Sequence, residues 1–408
     1  MTNCRSCGLN GLQPVLNLGK TPLANRLLTK AQLAEPEPVY PLELVFCPHC
    51  ALVQITETVP PEILFSDYVY FSSFSDTMLR SASDLAGRLI TSRRLGPASL
   101  VIELASNDGY LLQNYTKAGI PVLGIEPAAN VARVAQEERG VRTLCEFFGA
   151  ELAQRLKADI GRADVIHANN VLAHVADLNG FVSGIATLLK DDGVAVIEAP
   201  YLKDMIAGVE FDTIYHEHLC YFSLTALNHL FQRHGLQIFD LEHLPIHGGS
   251  LRLFAAHANR HPALTNAVIE TLAVEDKLGM SQLGYYLDFG SRVEKLRNDL
   301  LALLADLKSR GASIAVYGAS AKGSTLLNYF AIKPGTLEYV VDRSTVKQGL
   351  YTPGSHLLIH APKHLLETHP EYVLLLTWNF AEEILSQQTA YREAGGRFII
   401  PIPELKVV

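Results

Sequence analysis

The stretch Val101-Ile102-Glu103-Leu104-Ala105-Ser106-Asn107-Asp108-Gly109 passes from a short apolar run into a turn of small residues that opens a helix. Such a turn lets a ligand approach the backbone closely, and the helix N-terminus behind it offers N–H donors and positive potential. The next apolar run, residues 121–125, is followed by Glu126, placed where a carboxylate accepts from the two hydroxyls of a ribose. Residues 164–167 and 193–198 add two further buried runs, with helical spacing between them and an amphipathic helix over 78–90 before the first. That alternation predicts a parallel sheet covered by helices on both faces. Residues 237–243 and 250–257, joined by a Pro- and Gly-containing loop, predict an antiparallel hairpin at its edge.

Beyond a helical region at 265–310, a second series of strands is expected at 313–317, 337–341, 372–376 and 397–400. The N-terminal 64 residues are Pro-rich, lack helical periodicity and end at Val59-Pro60-Pro61, a junction. The expected architecture is therefore α/β in three units: 1–64, 65–258 and 259–408. In the middle unit, Glu103 before the turn, Glu126 after the second strand and His167-Ala168-Asn169-Asn170 closing a later one form the arrangement of class I methyltransferases, which bind S-adenosylmethionine. Glu103, Ala105, Ser106, Asn107, Asp108, Gly109, Glu126, Asn169 and Asn170 are the candidate cofactor-binding residues.

Composition narrows the classes. With 408 residues, 48% of them apolar, the chain has material for more than one core. A net charge of −8 argues against a nucleic-acid surface. No apolar run reaches the length of a membrane span, and the opening Met-Thr-Asn-Cys-Arg-Ser-Cys lacks a signal region, so a cytoplasmic location is expected. Thiols stay reduced there. Four of the six cysteines form two pairs, Cys4-x-x-Cys7 and Cys47-x-x-Cys50. Each pair lets one tight turn aim two sulfurs at one ion, and two such turns complete a tetrahedron. With every position a thiolate, none is left for water, so a structural zinc is expected.

The densest chemistry lies in Phe211-Asp212-Thr213-Ile214-Tyr215-His216-Glu217-His218-Leu219-Cys220-Tyr221. It follows a strand of the sheet, near the carboxyl edge where open α/β sheets bind ligands. His-x-His is too close for the zinc-protease pattern, which needs histidines four apart, so proton transfer is the reading of choice. His247-Gly248-Gly249-Ser250-x-Arg252 offers a Gly-rich turn and an arginine for a phosphate or hydroxyl. Val316-Tyr317-Gly318-Ala319-Ser320-Ala321-Lys322-Gly323 again joins strand to helix and suits a phosphate, with Lys322 as counter-charge and Asp342 beyond it. Trp378-Asn379 follows a later strand, where the single tryptophan either stacks on a base or packs.

Taken in order, the paired C-x-x-C, E-x-x-x-N-D-G, Y-H-E-H-L-x-Y-F, H-G-G-S-x-R and G-A-S-x-K-G motifs resemble the sugar C-3 methyltransferases over essentially the whole chain. The resemblance implies S-adenosylmethionine and a structural zinc as cofactors, and a nucleoside-diphosphate 4-keto-6-deoxysugar, often dTDP-linked, as substrate. It assigns Tyr215, Glu217 and His218 to the active site with His218 as base, His216 beside them, and adds Tyr70 (or Tyr68) from Tyr68-Val69-Tyr70-Phe71. It leaves His247, Gly248, Gly249, Ser250, Arg252, Ser320, Lys322, Trp378 and Asn379 as candidates for the substrate. A monomer or small homo-oligomer is expected.

The chemistry is consistent with those residue types. A ketone at C-4 acidifies the C-3 proton, a base removes it, donors stabilise the enolate oxygen, and carbon becomes the nucleophile. Two other classes remain open on sequence: an NAD-dependent oxidoreductase, which needs a G-x-G-x-x-G that neither half carries, and a non-catalytic zinc scaffold, which leaves residues 215–218 without a purpose.

Overall fold

The computed structural model of the chain describes residues 3–65, 71–246, 248–332 and 335–408. Tyr68, Tyr70 and His247 lie outside the described residues.

The N-terminal segment without helical periodicity is an antiparallel sheet. Gln13–Pro22 (β1) pairs with Val39–Phe46 (β2), and β2 with Val53–Ile55 (β3). This sheet has a fourth strand that sequence reasoning did not supply, the segment Cys220–Tyr221 from the histidine cluster, with Val53 opposite Tyr221 and Gln54 opposite Cys220.

The central sheet has seven strands: Val101–Leu104 (β4), Val122–Ile125 (β5), Thr143–Leu144 (β6), Ala163–Asn169 (β7), Leu189–Pro200 (β8), and, after the Cys220–Tyr221 strand (β9), Leu236–Leu244 (β10) and Ser250–His257 (β11). Their spatial order is β10-β11-β8-β7-β4-β5-β6. The pairs from β8 to β6 are parallel, and β11 runs antiparallel between β8 and β10. The chain therefore winds outward from β4 to β6, then returns to β7 on the other side. The reversal puts a crevice at the carboxyl ends of β4 and β7, where such sheets bind ligands.

The helix Asp76–Arg93 starts on a Ser75 cap and buries Met78, Ala82, Leu85, Ala86 and Leu89 at helical spacing, packed with Val101, Tyr115 and Val165. The region expected to be helical over 265–310 is broken: Asn266–Leu278 ends at Gly279 (φ +74), and Phe289–Ser309 follows after a link that carries the short 3-10 turn Leu283–Tyr286.

The C-terminal sheet runs β14-β13-β12-β15-β16-β17, with Ile314–Tyr317 (β12), Val340–Val341 (β13), Ile359–His360 (β14), Tyr372–Leu375 (β15), Arg397–Ile400 (β16) and an antiparallel edge strand Lys406–Val407 (β17). It too reverses beside its first strand, since β12 pairs in parallel with both β13 and β15. The N-terminal sheet meets this unit through Leu28 and Tyr351, which exchange backbone hydrogen bonds of 2.9 and 2.8 Å. Among the described residues no helix is long and apolar enough to cross a membrane.

Candidate active site

The four paired cysteines converge. Cys4 and Cys50 sulfurs lie 3.5 Å apart, Cys7 and Cys47 sulfurs 3.6 Å, and all four within 4.8 Å of one another. Four thiolates at about 2.3 Å from one ion stand about 3.8 Å apart on the edges of a regular tetrahedron, so the set fits zinc. Both knuckles have the same form. The N–H of Gly8 donates to Cys4 O and that of Ala51 to Cys47 O, each at 2.9 Å, with both residues at positive φ.

At the carboxyl edge of the central sheet lies a cavity of about 980 Å³, walled by all three units. Its volume reaches the top of the range of roughly 300–1,000 Å³ usual for ligand pockets. One half is built by the turn after β4. Ala105, Asn107 and Gly109 all have positive φ (54°, 49° and 76°), and a Cβ on Gly109 would press on Val141 and Ala135 at 3.1–3.2 Å. Glu126 accepts from the N–H of Asn107 (3.0 Å) and of Ala128 (2.9 Å), which fixes its carboxylate at the cavity wall. Burial raises its pKa, against the pull of those two N–H donors. Asn169 and Asn170 also line the wall, and their buried side-chain oxygens have no partner among the described residues. These acceptors match a ligand carrying an ammonium group and ribose hydroxyls. Glu103, Ser106 and Asp108 stand behind the wall; Glu103 is fully buried and its pKa is raised well above the carboxylate range, chiefly by burial. Arg139 faces Asp108 at 3.3 Å.

The loop 213–219 forms the floor. His218 Nδ1–H donates to Thr213 O at 2.9 Å, so the lone pair of the neutral ring sits on Nε2, which meets the Tyr215 hydroxyl at 2.7 Å. His174, which sequence reasoning passed over, stands edge-on to His218 with ring centres 4.8 Å apart; burial lowers its pKa to about 4. Tyr215, His218 and His174 line the cavity. Glu217 does not. Its carboxylate, 3% exposed, is covered by Asn25, whose Nδ2 donates to both oxygens at 2.8 and 3.0 Å. Burial pushes it up to about 7, opposed first by Asn25 and then by Lys347. His216 points the other way, to Pro41 O at 3.1 Å and the ring of Tyr40.

The opposite half comes from the C-terminal unit. Ser320 caps the helix Ala321–Phe330 by accepting from Gly323 N–H, and the Ala319 N–H donates to Asp342 Oδ2 at 2.8 Å. Lys322, Arg343, Lys347 and Asn379 line the cavity here.

Two substrate-site expectations are corrected by geometry. Residues 248–252 are not brought to the cavity. Arg252, 4% exposed, is consumed by Glu198 (2.6 Å), Glu242 (2.9 Å) and Ser81 (3.0 Å), pinning β8, β10, β11 and the helix Asp76–Arg93 together. Ser250 Oγ donates to Ile246 O, and Gly248 and Gly249 sit so close to Glu210 and Asp204 that a Cβ would overlap their carboxylates. Trp378 is not a stacking platform for a base: its Nε1 donates to Asp212 at 2.7 Å and Lys322 Nζ lies 4.3 Å over its ring. The cavity is lined instead by its neighbours Thr377 and Asn379. Lys347 and Asn25 were missed because neither belongs to a motif of fixed spacing, Lys347 lying in the largely polar run 342–348 and Asn25 beside Arg26, while His174 follows Asn169-Asn170 closely enough to have been found.

Three family models match the chain: a putative zinc binding domain over residues 4–65, a methyltransferase domain over 78–241, and a C-methyltransferase C-terminal domain over 245–403. The C-methyltransferase NovU of Streptomyces niveus is 36% identical over 405 residues, covering 99% of this chain and 96% of its own. The chain belongs to this C-methyltransferase family. It is a methyltransferase of class I fold that uses S-adenosylmethionine, and its four-cysteine cluster is a zinc-binding site. A ubiquinone biosynthesis O-methyltransferase of Rhodopseudomonas palustris is 26% identical over 97 residues, 24% of this enzyme and 38% of that chain. Magnesium protoporphyrin IX methyltransferase from Synechocystis, solved with bound SAM, is 15% identical, with a TM-score of 0.34, over 44% of this enzyme and 79% of that chain.

Proposed function

We propose that this C-methyltransferase methylates C-3 of a nucleoside-diphosphate 4-keto-6-deoxysugar. The observation that carries this reading is the Tyr215–His218 pair, set in one cavity between an acid-lined wall after β4 and a lysine-lined wall after β12. The three working units are 1–64, 65–258 and 259–408. Glu126 holds the ribose hydroxyls of the methyl donor, and Asn169 and Asn170 accept from its polar end. The donor, when bound, supplies an electrophilic methyl group on a sulfonium. Lys322, Arg343 and Lys347 face the diphosphate of the substrate, with Ser320 and Asn379 beside them.

The hydrogen-bond directions set the proton path. Thr213 O fixes the Nδ1–H tautomer of His218, so Nε2 is the base. The Tyr215 hydroxyl donates to Nε2, takes the C-3 proton at its oxygen as it passes its own to His218, and then faces the enolate as a donor backed by an imidazolium. His218 is thus the proton acceptor and Tyr215 the group that meets the sugar. His216, turned to Pro41, takes no part. The test is to incubate the enzyme with methyl-labelled S-adenosylmethionine and dTDP-, UDP- and GDP-linked 4-keto-6-deoxysugars, and to follow C-3 proton exchange in heavy water. Label at C-3 of one of them supports the reading. Label on oxygen or nitrogen, or none on any sugar nucleotide, overturns it.

A further inference from the structure

The zinc-binding unit does more than sit beside the catalytic loop. β3 pairs with Cys220–Tyr221, Ile55 N–H donates to Leu219 O at 3.0 Å, and Pro41 O accepts from His216. Residues 219–221 are thus tied to the edge of the N-terminal sheet, and His218 is the residue immediately before them. Several residues of that unit line the cavity, Val59, Pro61 and Glu62 among them. Asn25, just beyond β1, lines the cavity and gives its Nδ2 to both oxygens of Glu217, the residue next to His218.

We propose that Asn25 is a positioning residue for methyl transfer, through which the zinc-binding unit holds the Glu217 carboxylate and with it the Tyr215–His218 pair. A buried carboxylate carries a large desolvation cost and turns toward whatever donor it has. For Glu217 the donor among the described side chains is the Asn25 amide. With its amide nitrogen engaged there, the plane of the Asn25 side chain is set, and the two residues before His218 are held by their side chains, Glu217 by Asn25 and His216 by Pro41 O. Removal of the donor frees Glu217 to seek another hydrogen bond, which displaces the loop on which Nε2 of His218 is aimed.

This inference rests on the proposed function only in taking Tyr215 and His218 as the reacting pair. The experiment replaces Asn25 by Leu, of similar size without a donor, and by Ser as a smaller polar alternative should Asn25→Leu fail to fold. Loss of one hydrogen bond to a charged group corresponds to a fall of roughly 10–100-fold in kcat. The dissociation constant for S-adenosylmethionine, measured by calorimetry, should stay within about twofold of wild type, since Glu126 and the turn after β4 are untouched. The decisive readout is a double-mutant cycle with Glu217→Leu. If Asn25 acts through Glu217, Asn25→Leu costs nothing further in the Glu217→Leu background. A loss of the same size in both backgrounds, or no loss in kcat in wild type, overturns the proposal. Wild type failing on every 4-keto sugar nucleotide is a different result, which removes the function proposed above rather than the role of Asn25.

Discussion

The two strand-to-helix turns that wall the cavity share one device and differ in charge. After β4, the Asn107 N–H donates to Glu126 at the end of β5; after β12, the Ala319 N–H donates to Asp342 at the end of β13. In both, an acid after the neighbouring strand locks the turn and lines the cavity. Around the first turn the buried ionisable groups are Glu103, Asp108 and Glu126, with Arg139 against Asp108. Around the second, Lys322 and Arg343 line the cavity and Lys347 Nζ donates to Ala319 O at 2.8 Å. Under the function proposed above, the shared N–H-to-carboxylate lock would serve ligands of opposite charge: a sulfonium at one end, a diphosphate at the other. Between them lie the tautomer-fixed histidine and its tyrosine.

The strongest way to break this comparison is at its midpoint. His218→Asn keeps a hydrogen-bonding side chain but not the base, so methyl transfer and C-3 exchange should both fall by roughly 10²–10⁴-fold, the size of a general-base effect, with both ligands still bound. Tyr215→Phe should lose nearly as much, whereas His216→Asn should retain most activity. A dead His216→Asn beside an active His218→Asn would reverse the assignment.

Next in size is the cationic wall. Lys322→Met should weaken binding of the sugar nucleotide by roughly 10–100-fold and leave S-adenosylmethionine alone. The difference from wild type should shrink as salt rises, as screening weakens the lost attraction. A weakening of the methyl donor instead would mean that the turns have been assigned to the wrong ligands. Glu126→Ala sharpens the acidic wall: S-adenosylmethionine should bind about tenfold or more weakly, and the sugar nucleotide as before. Titration calorimetry with each ligand separates the two walls.

The smallest effect is a pH dependence. Glu210, behind Lys322, is pushed by burial up to about 8 despite that lysine. At pH 4 it is protonated in the folded chain and mostly protonated in the unfolded one. As pH rises through the ordinary carboxylate range toward 8, the unfolded chain releases a proton that the folded chain keeps, so stability falls over that window. Glu210→Gln has no such loss. It should match wild type at pH 4 and melt about 1–3 °C higher at pH 9. An equal melting difference at both pH values would show that the carboxylate is compensated in place.

Much of this organisation was legible in the chain. Periodicity placed β4, β5, β7, β8, β10 and β11 to within a few residues, the first four as mostly apolar runs covered on both faces and the last two as an antiparallel edge hairpin. It missed the two-residue strands β6, β9, β14 and β17, whose pairing leaves too little pattern to read. Small residues before a helix, an acid after the next strand and paired C-x-x-C are local signals, and the structure brings Glu126 to the turn and the four cysteines together. Arg252 and Trp378 were misread for a common reason: an arginine or tryptophan advertises what it is able to bind, and the fold had already satisfied each one internally.

The sequence by itself determined the strands of the central sheet and the two cysteine knuckles, since a strand and a C-x-x-C turn each depend on residues a few positions apart whose geometry the backbone enforces. Tertiary structure alone decided which side chains face one another across units. Asn25 and Glu217 are separated by 192 positions and Trp378 and Asp212 by 166, and no local spacing records such pairs. It also decided the tautomer of His218, which depends on where Thr213 O falls, and the direction of His216, which depends on the sheet laid against it. Long-range contacts are set by how the units pack, and packing is a property of the whole chain.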